Sequence, residues 1–233
     1  MADETILVVD DDADIREIIT MYLEAESYKV LIAINGYEAV SQTNQFNPDL
    51  IILDMVLPGL DGIEVCQAVR KNHNTPILFL SSKSTPNDKT VGLIAGGDDY
   101  ISKPFDPKEL LARVKAHLRR NRILEQNVHK SEDVLRYPNL TIDLKAYSVT
   151  AYNREIVLSY MEFQLLTLLA QNPNVVITIE QLYKTLWHTE SFGDYRTLLV
   201  HISNIRKKIE PDPKNPVFIH TLKGIGYKFI TAT

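Results

Sequence analysis

Asp54 closes the apolar run Leu50-Ile51-Ile52-Leu53 and is followed by Met55-Val56-Leu57-Pro58-Gly59-Leu60-Asp61-Gly62, a stretch full of turn formers. A carboxylate where a buried strand gives way to a loop either caps the next turn or reacts. Its neighbours in pattern bear on that choice. Asp10, Asp11 and Asp12 follow the run Ile6-Leu7-Val8-Val9, Ser81 and Ser82 follow Ile77-Leu78-Phe79-Leu80, and Lys103 lies just beyond the weaker run at Tyr100-Ile101. Carboxylates that converge without compensation repel, and burying even one unpaired charge is costly. A divalent cation relieves this, and hard oxygen donors suit Mg²⁺, which keeps several waters and commonly shares its site with a phosphate. A lysine ammonium and a serine hydroxyl then have phosphoryl oxygens to serve. In such a setting a carboxylate can attack phosphorus and hold an acyl phosphate, and Asp54, which stands alone, is the best candidate nucleophile.

These residues must be positioned by the elements between them. The apolar runs read as strands buried on both faces of a parallel sheet, with a further one at Val30-Leu31-Ile32-Ala33. Helical spacing places Ile15, Ile18, Ile19, Tyr22 and Leu23 on one face, then Ile63, Val65, Cys66 and Val69, then Leu110, Leu111, Val114 and Leu118. Asp14, Asp61 and Asp106 or Pro107 stand where helix starts want a cap or a first-turn proline. Five strands alternating with five helices make an open, doubly wound α/β domain, whose sites lie at the carboxyl ends of the strands.

Taken together, Val9-Asp10-Asp11, Leu53-Asp54 through Gly62, Ser81 and Gly96-Gly97-Asp98-Asp99-Tyr100-Ile101-Ser102-Lys103-Pro104-Phe105 resemble the receiver domains of bacterial two-component response regulators. The resemblance covers residues 3–121 and implies a flavodoxin-like five-stranded parallel sheet. It implies that Asp54 accepts a phosphoryl group from a sensor histidine kinase, that Asp10, Asp11, Asp54 and the backbone carbonyl of Val56 arrange Mg²⁺, and that Ser81 and Lys103 hold the phosphoryl group. It further implies a cis Lys103-Pro104 bond, and a switch in which the Ser81 hydroxyl moves toward the phosphate and the Tyr100 ring follows. Asp12 reads as a helix cap or solvated acid rather than a ligand. An apolar run ending in Asp also occurs in P-loop nucleotidases, but no G-x-x-x-x-G-K-[ST] is present.

A chain of 233 residues exceeds one such core and has room for a second domain. Counted along the sequence, residues 1–122 carry 19 acids and 13 bases, net −6, and residues 123–233 carry 11 acids and 12 bases, net +1. No apolar stretch approaches the ~18 residues of a membrane span. The acidic start Met1-Ala2-Asp3-Glu4 is unlike a signal peptide, and the lone Cys66 cannot form an internal disulfide. The expectation is a soluble, cytoplasmic protein without membrane contact.

Residues 122–134 are polar without sustained period and read as a linker. Beyond them come short strands at Leu140–Asp143, Ser148–Ala151 and Ile156–Leu158, an apolar-faced helix from Met161 to Ala170, a helix from Ile179 to Trp187, and a third from about Tyr195 to Ile209. Two strands around a glycine-bearing turn close the chain between Phe218 and Phe229. The third helix has an apolar side from Leu198, Leu199, Ile202, Ile205 and Ile209, and carries Arg196, His201, Ser203, Asn204, Arg206, Lys207 and Lys208. A helix lying in a DNA major groove needs one basic, amide-bearing face of this kind, although a solvated charged helix would look similar.

Residues 135–231 resemble the winged-helix effector domain of the OmpR/PhoB-type regulators, notably in Leu158-Ser159-Tyr160-Met161-Glu162-Phe163, in the run from Arg196 to Ile209, and in Gly224-Ile225-Gly226-Tyr227. The resemblance implies a smaller α+β winged-helix domain bound to double-stranded DNA at paired half-sites. His201, Ser203, Asn204 and Arg206 would face the groove, Arg196 and Lys207 would meet phosphates, and Lys223 would make the wing contact. It also implies that a homodimer forms on phosphorylation, with Lys89 against Glu109, Asp99 against Arg113 and Asp98 against Arg120 across a two-fold axis, and RNA polymerase is a further candidate partner. Leu199 stands where an acid is usual, Tyr195 where Asp is common, and Ser82 where Ala or Gly is common; Ser82, Lys83 and Val56 are expected to tune the lifetime of the phosphate. Two other classes compete. An aspartyl-phosphate phosphatase of the haloacid-dehalogenase kind wants a second Asp two residues after the nucleophile, where this chain has Val56; a receiver with a protein-binding output domain would not bind DNA in a salt-dependent way. The expectation is a regulator rather than an enzyme with turnover.

Overall fold

In the computed structural model, which describes residues 4–82, 86–127, 133–187 and 195–231, the chain divides into two compact units at residues 120 and 121. Side chains are described for these residues except 86–88 and 119–127.

The first unit runs β1 (Thr5–Val9), α1 (Ala13–Ala25), β2 (Lys29–Ala33), α2 (Gly36–Phe46), β3 (Leu50–Asp54), α3 (Gly62–Val69), β4 (Ile77–Ser81), α4 (Pro86–Ile94), β5 (Asp99–Ser102) and α5 (Pro107–Asn127). All strand pairs are parallel in the order β2-β1-β3-β4-β5, the doubly wound sheet expected. Alternate residues of each central strand feed opposite cores. Leu7, Val9, Ile51, Leu53, Ile77 and Phe79 pack with Val65, Cys66 and Val69 of α3, whereas Ile6, Val8, Leu50, Ile52, Leu78 and Leu80 pack with Ile19 and Leu23 of α1 and with Leu110, Val114 and Leu118 of α5. That is why these runs are apolar throughout. β2 departs from the expectation because it is the edge strand, and Ile32 is 44 % exposed.

Caps fix where the helices begin. Asp12 caps α1, accepting the Asp14 and Ile15 N–H groups at 2.9 and 3.3 Å; Asp14 itself lies in the first turn. Asp61 and Glu64 form a reciprocal capping box at α3, at 2.8 and 2.9 Å. Helix α5 continues to Asn127, through the first half of the expected linker, because Ile123, Leu124, Glu125 and Gln126 favour helix and no Gly or Pro stops them.

The second unit runs β6 (Val134–Tyr137), β7 (Leu140–Asp143), β8 (Ser148–Ala151), β9 (Arg154–Ile156), α6 (Tyr160–Ala170), β10 (Val176–Thr178), α7 (Ile179–Trp187), α8 (Arg196–Ile209), β11 (Ile219–Leu222) and β12 (Gly226–Phe229). An antiparallel sheet β6-β7-β8-β9 precedes the helices, and a second, β10-β12-β11, joins a strand between α6 and α7 to the hairpin that follows α8. Helix α6 is buried along almost its whole length and forms the centre of a core shared by α7, α8 and both sheets. Strands β6 and β10 are absent from the sequence expectation, and β9 sits two residues earlier than expected. Gly226 is needed where β12 passes β10, since a Cβ there would stand 2.0 Å from the Ile177 carbonyl oxygen. No helix among the described residues is long and apolar enough to cross a membrane.

Candidate functional site

The carboxyl ends of β1, β3, β4 and β5 bring Asp10, Asp54, Ser81 and Lys103 to one edge of the first sheet. Lys103 donates to Asp10 Oδ2 at 2.6 Å and to Asp54 Oδ2, so one ammonium bridges two carboxylates from different strands. The Val56 N–H donates to Asp54 Oδ1 at 2.8 Å and the Asp12 N–H to Asp10 Oδ1 at 3.0 Å. Asp10 and Asp54 are 1 % and 5 % exposed, while Asp11 is open to solvent. Burial pushes Asp54 above the usual carboxylate range, more than its bonds to Lys103 and Val56 pull it down. Burial alone would lower Lys103, but its bonds to Asp10 and Asp54 more than offset that and raise it.

Ligand oxygens of Asp10, Asp11 and Asp54 all lie within 4.8 Å of one another. Three carboxylates meeting one ammonium leave an excess of negative charge, and a set of oxygen donors only is what a hard divalent cation takes. The residues fit Mg²⁺. Val56 follows Asp54 by two, with its side chain 48 % exposed. Ser81 is fully buried and stands one residue past Leu80, the register partner of Asp54; its carbonyl accepts the Lys103 N–H at 2.7 Å. The Lys103-Pro104 peptide is cis. Tyr100 pairs with Phe79 in register, its ring lies 6 % exposed in the core, and the Lys89 ammonium sits 5.3 Å over it.

Two expected dimer residues are otherwise engaged. Asp98 is fully buried, binding Arg70 of its own chain at 2.6 Å and accepting the Ile77 N–H at 2.8 Å. Asp99 is 2 % exposed and held within its own chain by Arg113 at 2.8 Å, with His117 at 3.6 Å, because a charge without water takes the nearest cation. Glu109 binds the same Arg113 at 2.9 Å, and the Arg120 side chain lies outside the described residues. Burial would raise Asp99, but Arg113 and His117 outweigh it and hold it at about 2, below the ordinary 3.8. A depressed carboxyl stabilises the fold above its unfolded value and loses that contribution as pH falls through the folded one. Asp99→Asn is therefore expected to cost about 2 kcal/mol at pH 7 and to flatten the loss of stability between about pH 4 and 2, measured by urea unfolding across that range. A pH dependence identical to the native protein's would refute it.

In the second unit the expected DNA residues divide. Arg196, Ser203 and Lys207 are exposed on α8, and Lys223 is exposed beside the turn between β11 and β12. His201 is fully buried and stacks on Trp187 at 5.9 Å, and Asn204 is 6 % exposed. Both lie on the helical face that Leu198, Ile202 and Ile205 press into the core, not on the outward one expected. Arg206 faces β11, donating to the Ile219 carbonyl at 2.6 and 3.1 Å and to Thr221 Oγ1 at 2.9 Å, with its guanidinium 5.8 Å from the Tyr227 ring centre. Tyr195 gives α8 no side-chain cap and rests edge-on against Tyr183 at 5.7 Å.

The sequence reading missed three polar side chains. Arg16 fixes the main chain of the acidic cluster, donating to the Asp10 carbonyl at 2.8 Å; Glu210 accepts the Val217, Phe218 and Ile219 N–H groups at 2.7 to 3.1 Å and so holds the start of β11. Lys214 lies beside the exposed face of α8. No periodic pattern signals any of them.

The chain matches the family described as "Response regulator receiver domain" over residues 6–115 and "Transcriptional regulatory protein, C terminal" over 153–229. It is 44 % identical to the transcriptional regulatory protein ResD of Bacillus subtilis over 96 % of this chain and 95 % of that protein. It is 40 % identical to the DNA-binding response regulator MtrA of Mycobacterium tuberculosis over 97 % of this chain and 96 % of that protein. Among solved structures, a RitR mutant aligns with TM-score 0.83 at 25 % identity over 97 % and 98 % of the two chains. The response regulator DrrB, a Thermotoga maritima OmpR/PhoB homologue, aligns with TM-score 0.52 at 31 % identity over 98 % of this chain and all of that one. A phosphoacceptor-like sheet edge followed by a winged-helix DNA-binding unit, matched along nearly the whole chain, makes this protein a member of the OmpR/PhoB family of response regulators, transcriptional regulators controlled by phosphorylation.

Proposed function

We propose that Asp54 is the phosphoacceptor and that its phosphorylation by a sensor histidine kinase drives dimerisation and promoter binding without turnover of a separate substrate. The observation that supports this most is the Lys103 ammonium shared by Asp10 and Asp54 at a sheet edge that also gathers Asp11. Mg²⁺, held by Asp10, Asp11, Asp54 and the Val56 carbonyl, supplies charge neutralisation for the incoming phosphoryl oxygens. The Val56 N–H orients Asp54 Oδ1, and burial keeps bulk water off the acyl phosphate. Lys103 is placed to move from carboxylate to phosphoryl oxygen, and the Ser81 hydroxyl to donate to a second. Tyr100, already inward against Phe79, is the element biased by that shift, and the surface of α4, β5 and α5 carries the readout.

Dimerisation would then use Lys89 and Glu109 of that surface, with Asp99 and Arg113 acting as a pre-formed pair within each chain. Exposed pairs contribute about 0 to 1 kcal/mol each and so set geometry more than affinity. Two effector units on one dimer gain from effective concentration at paired half-sites. DNA contact falls to Arg196, Ser203, Lys207 and Lys223. Arg196→Ala and Lys207→Ala are each expected to weaken binding of the acyl-phosphate-treated full chain to all duplexes alike and to lower the slope of log affinity against log salt by about 1. Unchanged slopes in both variants would take these residues off the phosphate backbone, and salt-independent binding by the native chain would sink the reading as a whole.

A further inference from the structure

The burial of His201 and Asn204 leaves α8 with an outward stripe unlike the one its composition suggests. Helical spacing aligns Arg196, Leu199, Ser203 and Lys207, and all four are exposed. Leu199, 47 % exposed, is the apolar member, with half-buried Val200 beside it. A single exposed leucine needs no explanation by itself. Its surroundings supply one. Leu199 borders a concavity of about 480 Å³ whose wall includes Ser203, Arg206, Lys207, Lys214 and Tyr227, so an apolar contact point is framed by three cations. That charge pattern suits a polyanion even with the one acid on the rim, exposed Asp212, which accepts from the Lys214 N–H at 2.9 Å and the Asn215 amide at 2.7 Å.

With exposed Arg196 and Lys207 assigned to phosphates in the proposed function, few groups on this face are left to distinguish base pairs. Arg206 is committed to Ile219 and Thr221, His201 and Asn204 are inside, and a serine hydroxyl bonds to either purines or pyrimidines. An exposed apolar side chain reads one feature of the major groove, the C5-methyl of thymine. We infer that Leu199 is a specificity-determining residue that selects thymine in each half-site by packing on its C5-methyl group. The inference rests on α8 being the DNA-contacting helix.

The test uses the full chain treated with acetyl phosphate. Duplexes are selected from a randomised library, and each thymine of the selected site is replaced in turn by deoxyuridine, which keeps the hydrogen-bonding edge and lacks only the methyl. One position per half-site should lose about four-fold in affinity on that exchange. Leu199→Ala, at an exposed position, should bind the parent site more weakly by a similar factor and show no further loss with deoxyuridine. The same deoxyuridine penalty in Leu199→Ala, or no thymine that responds in the native chain, would overturn the inference. Salt-dependent binding to unselected DNA, run alongside, separates the cases: if it persists, only the role of Leu199 fails; if it is absent, the DNA-contacting role of α8 fails too.

Discussion

Asp54→Asn is expected to abolish covalent labelling of the protein by radiolabelled acetyl phosphate. In the proposed reaction an Asp54 carboxylate oxygen would form a new bond to phosphorus as the bond from phosphorus to the donor's acyl oxygen breaks, and acetate would leave. The amide of asparagine offers no anionic oxygen for that attack. It does keep the side-chain shape and an acceptor for the Val56 N–H, so the sheet should fold. Asp10 is the nearest substitute and is poorly suited to the role. Both its carboxylate oxygens are bonded, as those of Asp54 are, but at Asp10 Arg16 also pins the main chain, donating to the carbonyl at 2.8 Å. Asp11 is exposed, where water would compete for both the carboxylate and any anhydride it formed. Label retained at native stoichiometry in Asp54→Asn would move the phosphoacceptor elsewhere.

Gly62→Ala should damage both the fold and the chemistry, although residue 62 carries no functional group. A Cβ at this position would stand 2.2 Å from the Asp54 carbonyl oxygen and 2.7 Å from Met55 Cα, backbone atoms that cannot rotate aside. The Gly62 N–H also donates to the Met55 carbonyl at 3.1 Å, so the start of α3 is stitched to the strand end that carries Asp54. Relief requires either unseating the capping box of Asp61 and Glu64 or shifting the end of β3. The expected cost is about 3 kcal/mol in urea unfolding of the receiver unit, at the upper end for an inserted methyl. Labelling of the folded fraction should slow by roughly 10- to 100-fold, because a displacement on the ångström scale spoils the alignment of Asp54 with Lys103. Unaltered unfolding midpoint and labelling rate together would show that the backbone yields more easily than its packing implies.

The receiver site was readable because its logic is local. Each functional residue ends an apolar run, and the carboxyl-end rule of parallel sheets brings those ends together without knowledge of any loop. The effector surface was less readable for a reason that lies in phase. Leu198, Ile202, Ile205 and Ile209 define the buried stripe, and residues three or four apart share a face, which puts His201 and Asn204 inside with them; reading polarity before phase turned them outward. Leu199 met the opposite error, counted with the apolar side although it lies one residue off the stripe. Asp98, expected opposite Arg120 across a two-fold axis, pairs with Arg70 of its own chain, 28 residues away, and nothing in spacing announces a buried pair of that separation. Strand β10 is three residues long and exists through its pairing with β12, some fifty residues later, a contact that local propensity does not encode.

The tie between Arg206 and β11 carries one more consequence. By fastening α8 to the terminal hairpin through the Ile219 carbonyl, the Thr221 hydroxyl and the Tyr227 ring, it opposes sliding or turning of the two against each other. Helix and hairpin then behave as a caliper of fixed opening. With one turn of duplex taking about 10.5 base pairs, a single inserted pair between the points they touch would swing one contact by about a tenth of a turn, beyond what a locked caliper can follow. In the proposed DNA complex the protein, independently of which bases fill the site, would thereby set the distance between the two contacts.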